Sequence, residues 1–305
     1  MTSNRPASEA VRLPDFVIIG AMKCGTSSLH EQLARQPGCF MSQPKEPNFF
    51  SDDRQFQKGL DWYASLFAEA SPDSICGESS THYTKLPTYP QCAPRLHDQL
   101  AGAKLVYVMR DPVDRIVSQY IHEWSEHVID KDCPIDEAIT THPILVDYSR
   151  YAMQLQPYVE LFGFNGILPV FFERLIDNPN AELRRIATHI GCGGPVRWLD
   201  DDAANVSTER QRRHPALDAI LDIRLLQRVR RTLLPEALRT RIRSRWTMQE
   251  RPRLSAKSIA QLHGQLDPEM RTLGEWLGLN LNCRTFKARV RQGGAPEWAR
   301  EASGA

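Results

Sequence analysis

The chain has 305 residues, of which 41% are hydrophobic and 25% charged, and its formal net charge is +1. These values are typical of a globular protein that is long enough to bury one large core. The near-zero charge excludes the strong basic field of many nucleic-acid-binding proteins, so no nucleic-acid partner is expected.

Three features bear on the cellular compartment. Residues 1–13 are polar and lack the apolar run of a signal peptide. No stretch reaches the roughly 18 consecutive apolar residues that indicate a membrane span. The seven cysteines form no C-x-x-C pair and show no zinc-ligand spacing. We therefore expect reduced thiols, no metal site and a cytoplasmic location.

The first predicted strand leads into a turn that can bind phosphate. Residues 16–19 form a short apolar, β-branched run, Gly20 ends it, and residues 26–36 predict a helix. A strand, a glycine-bearing turn and a helix start together direct backbone N–H groups at an anion.

This turn departs from the common phosphate-binding loop G-x-x-x-x-G-K-[ST] in one respect. Gly20 and Gly25 have the spacing of its two glycines. Thr26, however, stands where the lysine belongs, and the nearby Lys23 lies inside the loop. The sequence thus predicts a phosphate site whose lysine is displaced.

Polar clusters follow two further predicted strands. Residues 74–78 form a strand that ends at Glu78, and residues 104–109 form the strongest strand signal, which ends at Arg110. Because the carboxyl ends of parallel strands meet at one edge of a sheet, we expect Gly20, Glu78 and Arg110 to converge there.

Strands alternate with helices along the chain, which predicts a P-loop-like, three-layer α/β/α fold with a central parallel sheet. We expect a loose leader over residues 1–13, one domain over 14–290 and a frayed tail over 291–305. Extra C-terminal helices are predicted over residues 255–277, the second beginning at Asp267-Pro268.

An arginine-rich segment covers residues 209–253, where thirteen arginines stand against five acidic residues. It can form a basic face for an acidic ligand or a solvated helix surface. Leucines interleaved at helical spacing favour the second interpretation.

Two motifs resemble those of sulfotransferases, which use 3′-phosphoadenosine-5′-phosphosulfate (PAPS). Lys23-Cys24-Gly25-Thr26-Ser27-Ser28-Leu29 resembles their 5′-phosphosulfate loop, K-x-G-T-[TS]-x-[LW]. Arg110, followed eight residues later by Ser118, resembles their 3′-phosphate motif. Physically, the guanidinium offers forked charged donors and the hydroxyl adds another. Arg115, between them, is interpreted as a structural or surface residue. The resemblance implies a cofactor site formed by Lys23, Cys24, Gly25, Thr26, Ser27, Ser28, Arg110 and Ser118.

The resemblance extends over about residues 14–195 and implies catalytic residues. Lys45-Glu46-Pro47-Asn48-Phe49-Phe50 is similar to a loop of the heparan-sulfate-type branch and its bacterial relatives, in which the glutamate is the base. A partly desolvated Glu46 can be tuned toward neutral pH. His82 is the rival base, because cytosolic hormone-type sulfotransferases use a histidine from a comparable loop. Lys23 would stabilise the leaving group.

The sequence predicts an enzyme that moves the sulfuryl group of PAPS to a hydroxyl of a glycan or small molecule, without a metal. One alternative is a P-loop kinase of a small metabolite, although Thr26 replaces the lysine that such kinases need. Another is a non-catalytic nucleotide-binding protein that keeps the pocket. The acceptor and the oligomeric state are not encoded in any motif.

Overall fold

A five-stranded sheet forms the centre of the computed structural model, which describes residues 12–199, 248 and 250–299. Every strand pairing in it is parallel, and the order across the sheet is β2-β3-β1-β4-β5. In chain order the strands are β1 (Phe16–Gly20), β2 (Cys39–Met41), β3 (Ile75–Ser79), β4 (Lys104–Met109) and β5 (Ile167–Phe171).

Helices cover this sheet and complete the predicted three-layer α/β/α architecture. They are α1 (Thr26–Ala34), α2 (Asp53–Phe56), α3 (Gly59–Ser65), α4 (Cys92–Leu100), α5 (Pro112–Ser125), α6 (Ile135–Thr141), α7 (Ile144–Asp147), α8 (Tyr151–Phe162), α9 (Phe172–Asp177), α10 (Pro179–Ile190), α11 (Ala256–Leu277) and α12 (Phe286–Gln292). Short 3₁₀ turns span Thr81–Thr84 and Phe164–Gly166. No helix in these described ranges combines the length and apolar character needed to cross a bilayer.

The central strands are buried along their whole length, as expected for a parallel sheet covered on both faces. All five residues of β1 are buried, and only the first residue of β4, Lys104, is exposed. The sequences of strands in this position are continuous apolar runs, whereas strands with one solvated face alternate apolar and polar residues. This explains why β1 and β4 are the strands that the sequence indicates best.

The start of α5 fixes the direction of the chain just after β4. Asp111 accepts a hydrogen bond from the backbone N–H of Asp114 at 2.9 Å, and Pro112 occupies the first turn. An aspartate cap followed by proline is a strong helix start. Only two residues therefore separate the end of β4 from the start of α5, which holds Arg110 at the edge of the sheet.

The C-terminal helical region differs from the prediction of two helices over residues 255–277. A single helix, α11, runs unbroken with Pro268 inside it. Four apolar side chains at helical spacing are buried along it: Leu262, Leu266, Met270 and Leu273. Burial of this stripe outweighs the hydrogen bond that proline cannot donate. The Asp267 carboxylate accepts from the N–H of Cys283 at 2.8 Å instead of capping a second helix.

The predicted end segments are described only in part. Trp298, within the predicted frayed tail, packs against Phe164, and its indole N–H donates to the carbonyl of Ile167 at 2.7 Å. This contact ties the chain past α12 to the start of β5. Most of the predicted leader and nearly all of the arginine-rich segment 209–253 lie outside the described residues.

The pairing of β1 with β3 depends on a glycine. Phe16 lies opposite Gly77 in the register, and a Cβ at Gly77 would lie 2.1 Å from Cζ of the Phe16 ring. We predict that Gly77→Ala lowers the free energy of unfolding by about 1–3 kcal/mol, because this overpacks the core. Urea denaturation measures it. Gly102→Ala is the control, since a Cβ there meets nothing within 4 Å. Equal stability of both variants would contradict this account of the sheet.

Candidate active site

A cavity of about 680 Å³ opens at the carboxyl edge of the sheet. Its walls come from the turn after β1, the loops after β2 and β3, helix α5 and helix α9. Nine of the residues predicted from the sequence line it: Lys23, Gly25, Thr26, Ser27, Ser28, Glu46, His82, Arg110 and Ser118. The structure thus brings together residues that lie up to 95 positions apart in the chain, from Lys23 to Ser118.

Cys24 is the predicted cofactor-binding residue whose side chain does not reach the cavity. It is fully buried, and its Sγ lies 3.9 Å from the Tyr151 hydroxyl and 3.7 Å from the Met22 carbonyl. Burial raises the pKa of the thiol to about 12. The Cys24 side chain therefore packs beneath the loop instead of contacting a ligand.

Glu78 also differs from the expectation that it would converge with Gly20 and Arg110. Its carboxylate is completely buried and accepts hydrogen bonds from Tyr83 at 2.7 Å, Ser80 at 2.8 Å and Tyr63 at 3.1 Å. Burial raises its pKa to about 7. Glu78 anchors the end of β3, and the segment that follows it supplies the cavity residues.

The phosphate loop ends at the N-terminus of α1. Gly25 occupies the N-cap position with φ +85°, in the left-handed region that glycine tolerates. A Cβ there would lie 2.7 Å from the Phe172 ring. The first N–H groups of a helix have no intrahelical partner, so those of Thr26, Ser27 and Ser28 are placed to bind an anion.

A buried arginine lies beneath this loop. Arg115 has no exposed surface, and its guanidinium donates to the carbonyls of Leu145 at 2.7 Å and Met22 at 3.4 Å, and to Gln119 Oε1 at 2.7 Å and Ser149 Oγ at 2.5 Å. Within the described residues, no carboxylate lies within ion-pair distance of it. Of the two interpretations of Arg115, the structure therefore supports a buried structural residue rather than a surface residue. Its positive charge adds to the field that an anionic ligand meets.

Arg110 lies at the mouth of the loop. Its guanidinium lies 4.7 Å above the Phe172 ring and donates to the carbonyl of Lys23 at 3.4 Å. The Asp114 carboxylate is 3.9 Å away, but it is closer to Lys287 at 2.8 Å. Since Asp114 is shared, the Arg110 guanidinium retains donor capacity for a phosphate.

Ser118 completes this part of the cavity. It lies on α5, about two helical turns beyond Arg110, and both residues line the cavity. His122, one turn further, also lines the cavity. Phe172, Ile176 and Trp198 add an apolar wall against which a nucleobase can pack.

Glu46 lies on the loop after β2 and also lines the cavity. Its Oε1 is 2.6 Å from Lys45 Nζ, and it accepts a hydrogen bond from Thr81 at 3.3 Å. Burial raises the pKa of this carboxyl, but the positive charge and hydrogen bond of Lys45, with Lys85 and His82, outweigh burial and hold the pKa below its ordinary value. The expected tuning toward neutral pH is therefore wrong. Glu46 is ionised at pH 7.

His82 lies near Glu46 and stacks on the Tyr89 ring, with centroids 4.8 Å apart. Burial and the neighbouring Lys85 charge lower its pKa to about 4. His82 is therefore neutral at pH 7. The geometry favours Glu46, whose carboxylate is held in place by Lys45 and Thr81.

Two residues near the site carried no sequence signal. Lys85 lines the cavity three residues after His82, and burial lowers its pKa to about 8. His30, on α1, shares a 2.9 Å hydrogen bond with Ser79 Oγ, and burial lowers its pKa to about 4. Both side chains differ from ordinary ones because they are buried. Burial cannot be recognised from a lone lysine or histidine in a sequence. The described residues contain no cluster of His, Cys, Asp and Glu arranged as a metal site.

Comparisons with known proteins identify the family of this chain. The sulfotransferase domain family matches residues 13–221. Heparan sulfate glucosamine 3-O-sulfotransferase 3B1 of Mus musculus is 32% identical over 190 residues, which cover 59% of this chain and 46% of that protein. The human 3-O-sulfotransferase 6 is 30% identical over 193 residues, covering 59% of this chain and 53% of that protein. The chain thus spans about half the length of the curated relatives that it matches.

A solved structure supports the fold. The sulfotransferase from Alicyclobacillus acidocaldarius has a TM-score of 0.60 and 22% sequence identity, over 88% of this chain and 98% of that one. The two proteins therefore share the arrangement of the sheet and of the helices that cover it. The family match covers more than two thirds of the chain, from before β1 to beyond α10. This chain belongs to the sulfotransferase domain family.

Proposed function

We propose that this protein transfers the sulfuryl group of PAPS to a hydroxyl of a carbohydrate acceptor. Members of its family use PAPS as the sulfuryl donor. The observation that carries the proposal is that one cavity is lined by the phosphate loop, by the Arg110–Ser118 pair and by the Glu46 carboxylate. Two phosphate-binding groups and a base border the same space.

The nucleotide would be held at two points. The N–H groups at the start of α1, the Thr26 and Ser27 hydroxyls and Lys23 would bind the 5′-phosphosulfate. Arg110 and Ser118 would bind the 3′-phosphate. The apolar wall formed by Phe172, Ile176 and Trp198 would contact the adenine.

The reaction needs a base on one side of the sulfur and a cation on the other. The acceptor oxygen forms a bond to sulfur while the bond from sulfur to the 5′-phosphate oxygen breaks. Glu46 takes the hydroxyl proton. The bonding electron pair leaves with the phosphate oxygen, and Lys23 and the loop N–H groups stabilise the charge that develops there.

The carbohydrate class of the acceptor is supported by the relatives. Those compared above are named for action on the glucosamine of heparan sulfate. The loop that carries Glu46 resembles that branch as well. A cytoplasmic location stays a prediction.

The two alternatives fit the site less well. A P-loop kinase needs a lysine after Gly25, and Thr26 occupies that position at the first residue of α1. A non-catalytic nucleotide-binding protein would have no use for an ionised Glu46 in the lining of the same cavity. A transfer assay separates this second alternative from the proposal.

The first prediction concerns the 3′-phosphate. Wild-type protein should bind adenosine 3′,5′-bisphosphate (PAP) more tightly than adenosine 5′-monophosphate, and Arg110→Met should reduce this preference by about tenfold or more. The reason is the loss of a charge-assisted pair of hydrogen bonds. Isothermal titration calorimetry measures both ligands. Arg184→Met, on the exposed side of α10, is the matched control. Absence of PAP binding, or tighter binding of ATP–magnesium, would refute the proposed function.

The second prediction concerns the base. Glu46→Gln should lower sulfuryl transfer from radiolabelled PAPS to a glycan panel by about 100-fold or more, because an amide cannot take the proton. PAP binding should be unchanged. His82→Ala should retain more activity than Glu46→Gln, and Glu31→Gln, exposed on α1, is the control. If only His82→Ala abolished transfer, the base would be His82.

The third prediction concerns pH. Transfer requires ionised Glu46, so the rate falls as the pH drops through the pKa of that carboxyl. Lys45 lowers this pKa and burial raises it. Lys45→Met should therefore move the acid limb of the kcat/KM profile to higher pH. Lys104→Met, exposed at the opposite end of β4, should leave the limb in place. A limb that stayed fixed or moved down in Lys45→Met would contradict this role of Lys45.

A further inference from the structure

The loop that carries Glu46 has a backbone conformation that its own residues do not favour. Glu46 has φ +58° and Asn48 has φ +52°, both in the left-handed region that side chains other than glycine rarely adopt. Such a conformation persists only where the surrounding structure enforces it, and it is common at active sites. The contacts that enforce it here therefore determine where the Glu46 carboxylate lies.

Two side-chain hydroxyls hold the part of the loop that follows Glu46. The N–H of Asn48 donates a hydrogen bond to Ser80 Oγ at 3.1 Å. The N–H of Phe50 donates to the Tyr83 hydroxyl oxygen at 3.4 Å. Both hydroxyls belong to the segment that follows Glu78 at the end of β3.

One buried carboxylate accepts from both of these hydroxyls. Glu78 has no exposed surface, and it accepts hydrogen bonds from Tyr83 at 2.7 Å and from Ser80 at 2.8 Å. Each hydroxyl thus directs its proton to Glu78 and keeps its oxygen as the acceptor for a loop N–H. Hydrogen bonds in such a chain also strengthen one another. We call the chains Asn48–Ser80–Glu78 and Phe50–Tyr83–Glu78 the two hydroxyl relays.

A third donor to Glu78 belongs to neither relay. The Tyr63 hydroxyl donates to the same carboxylate at 3.1 Å. Within the described ranges, no N–H of the Glu46 loop donates to the Tyr63 hydroxyl in return. Tyr63 therefore provides an internal comparison, because it makes a similar hydrogen bond to Glu78 without a hydroxyl contact to the loop backbone.

We propose that Glu78 is a positioning residue for the base, and that it acts through Ser80 and Tyr83 to hold the Glu46 carboxylate in the cavity. The proposal rests on the sulfotransferase function and adds the residues that orient its base. Glu78 itself does not contact substrate, since its side chain is wholly inside the core. A small displacement of a catalytic group lowers the rate steeply, so the relays serve the chemical step rather than nucleotide binding.

Sulfuryl transfer by three hydroxyl variants tests this role. The assay is run at pH 8, where Glu78 is mostly ionised because burial raises its pKa only to about 7. Ser80→Ala and Tyr83→Phe each remove one relay and should lower kcat by about tenfold or more. Tyr63→Phe is the matched control and should keep kcat within about threefold of the wild-type value. The affinity for PAP, measured by calorimetry, should be unchanged in all three variants.

Glu78→Gln tests the carboxylate itself. The amide keeps the shape of the side chain, but its nitrogen cannot accept the proton of a hydroxyl. One of the two relays therefore loses its acceptor, and kcat should fall by about tenfold or more. Urea denaturation establishes that each variant is folded. If Glu78→Gln does not fold, the comparison of Ser80→Ala and Tyr83→Phe with Tyr63→Phe decides the matter.

A double variant connects the relay to the base. Glu46→Gln has already lost the proton acceptor, so adding Ser80→Ala should lower its residual rate by less than about twofold. A further loss as large as that in the wild-type background would show that Ser80 acts independently of Glu46. That result would overturn the inference.

Three other results would also overturn it. The first is an unchanged kcat in either Ser80→Ala or Tyr83→Phe. The second is an equal loss of kcat in Tyr63→Phe, which would indicate a general effect of the buried network rather than of the relays. The third is a loss of PAP affinity that matches the loss of kcat, because the variants would then act on the nucleotide site.

The wild-type measurements separate this inference from the proposed function. Wild-type protein that binds no PAP or transfers no sulfuryl group contradicts the proposed function. Wild-type transfer that Ser80→Ala leaves unchanged contradicts only the role of Glu78.

Discussion

The buried guanidinium of Arg115 is the contact on which the geometry of the site depends. It extends from α5 to the carbonyl of Met22 in the phosphate loop and to the segment at Leu145 and Ser149. These partners are neutral, so the hydrogen bonds satisfy the donors without cancelling the charge. One side chain thereby joins the loop to the helix that carries Ser118.

The parallel sheet supplies the rest of the arrangement. With β1 between β3 and β4, the turns after these strands open at one edge. Glu78 ends β3 inside the core, where Tyr63 and Tyr83 hold it, and the chain beyond it turns back toward the cavity. That return places Thr81 against Glu46. The part of the cavity that contains Thr81 and Glu46 is therefore supported by the buried carboxylate of Glu78.

Much of the fold and many of the residues that line the cavity could be predicted from the sequence, because local patterns encode them. The apolar runs of β1 and β4 indicate buried strands, and two short motifs contain Lys23 and the Arg110–Ser118 pair. What could not be predicted depends on contacts distant in sequence. Cys24 stands within a binding motif but packs under it, and Pro268 lies inside a helix whose apolar stripe is buried. The burial of Lys85 in the cavity wall is likewise shown by no local pattern.

The central claim is that a single nucleotide is held by two phosphate sites across one cavity, with Glu46 facing the transferred group. A crystal structure of the complex with PAP tests it most directly. The account predicts the 5′-phosphate at the N–H groups of residues 26–28 and Lys23, and the 3′-phosphate at Arg110 and Ser118. A nucleotide bound elsewhere, or one whose 3′-phosphate points into solvent away from Arg110, would contradict it.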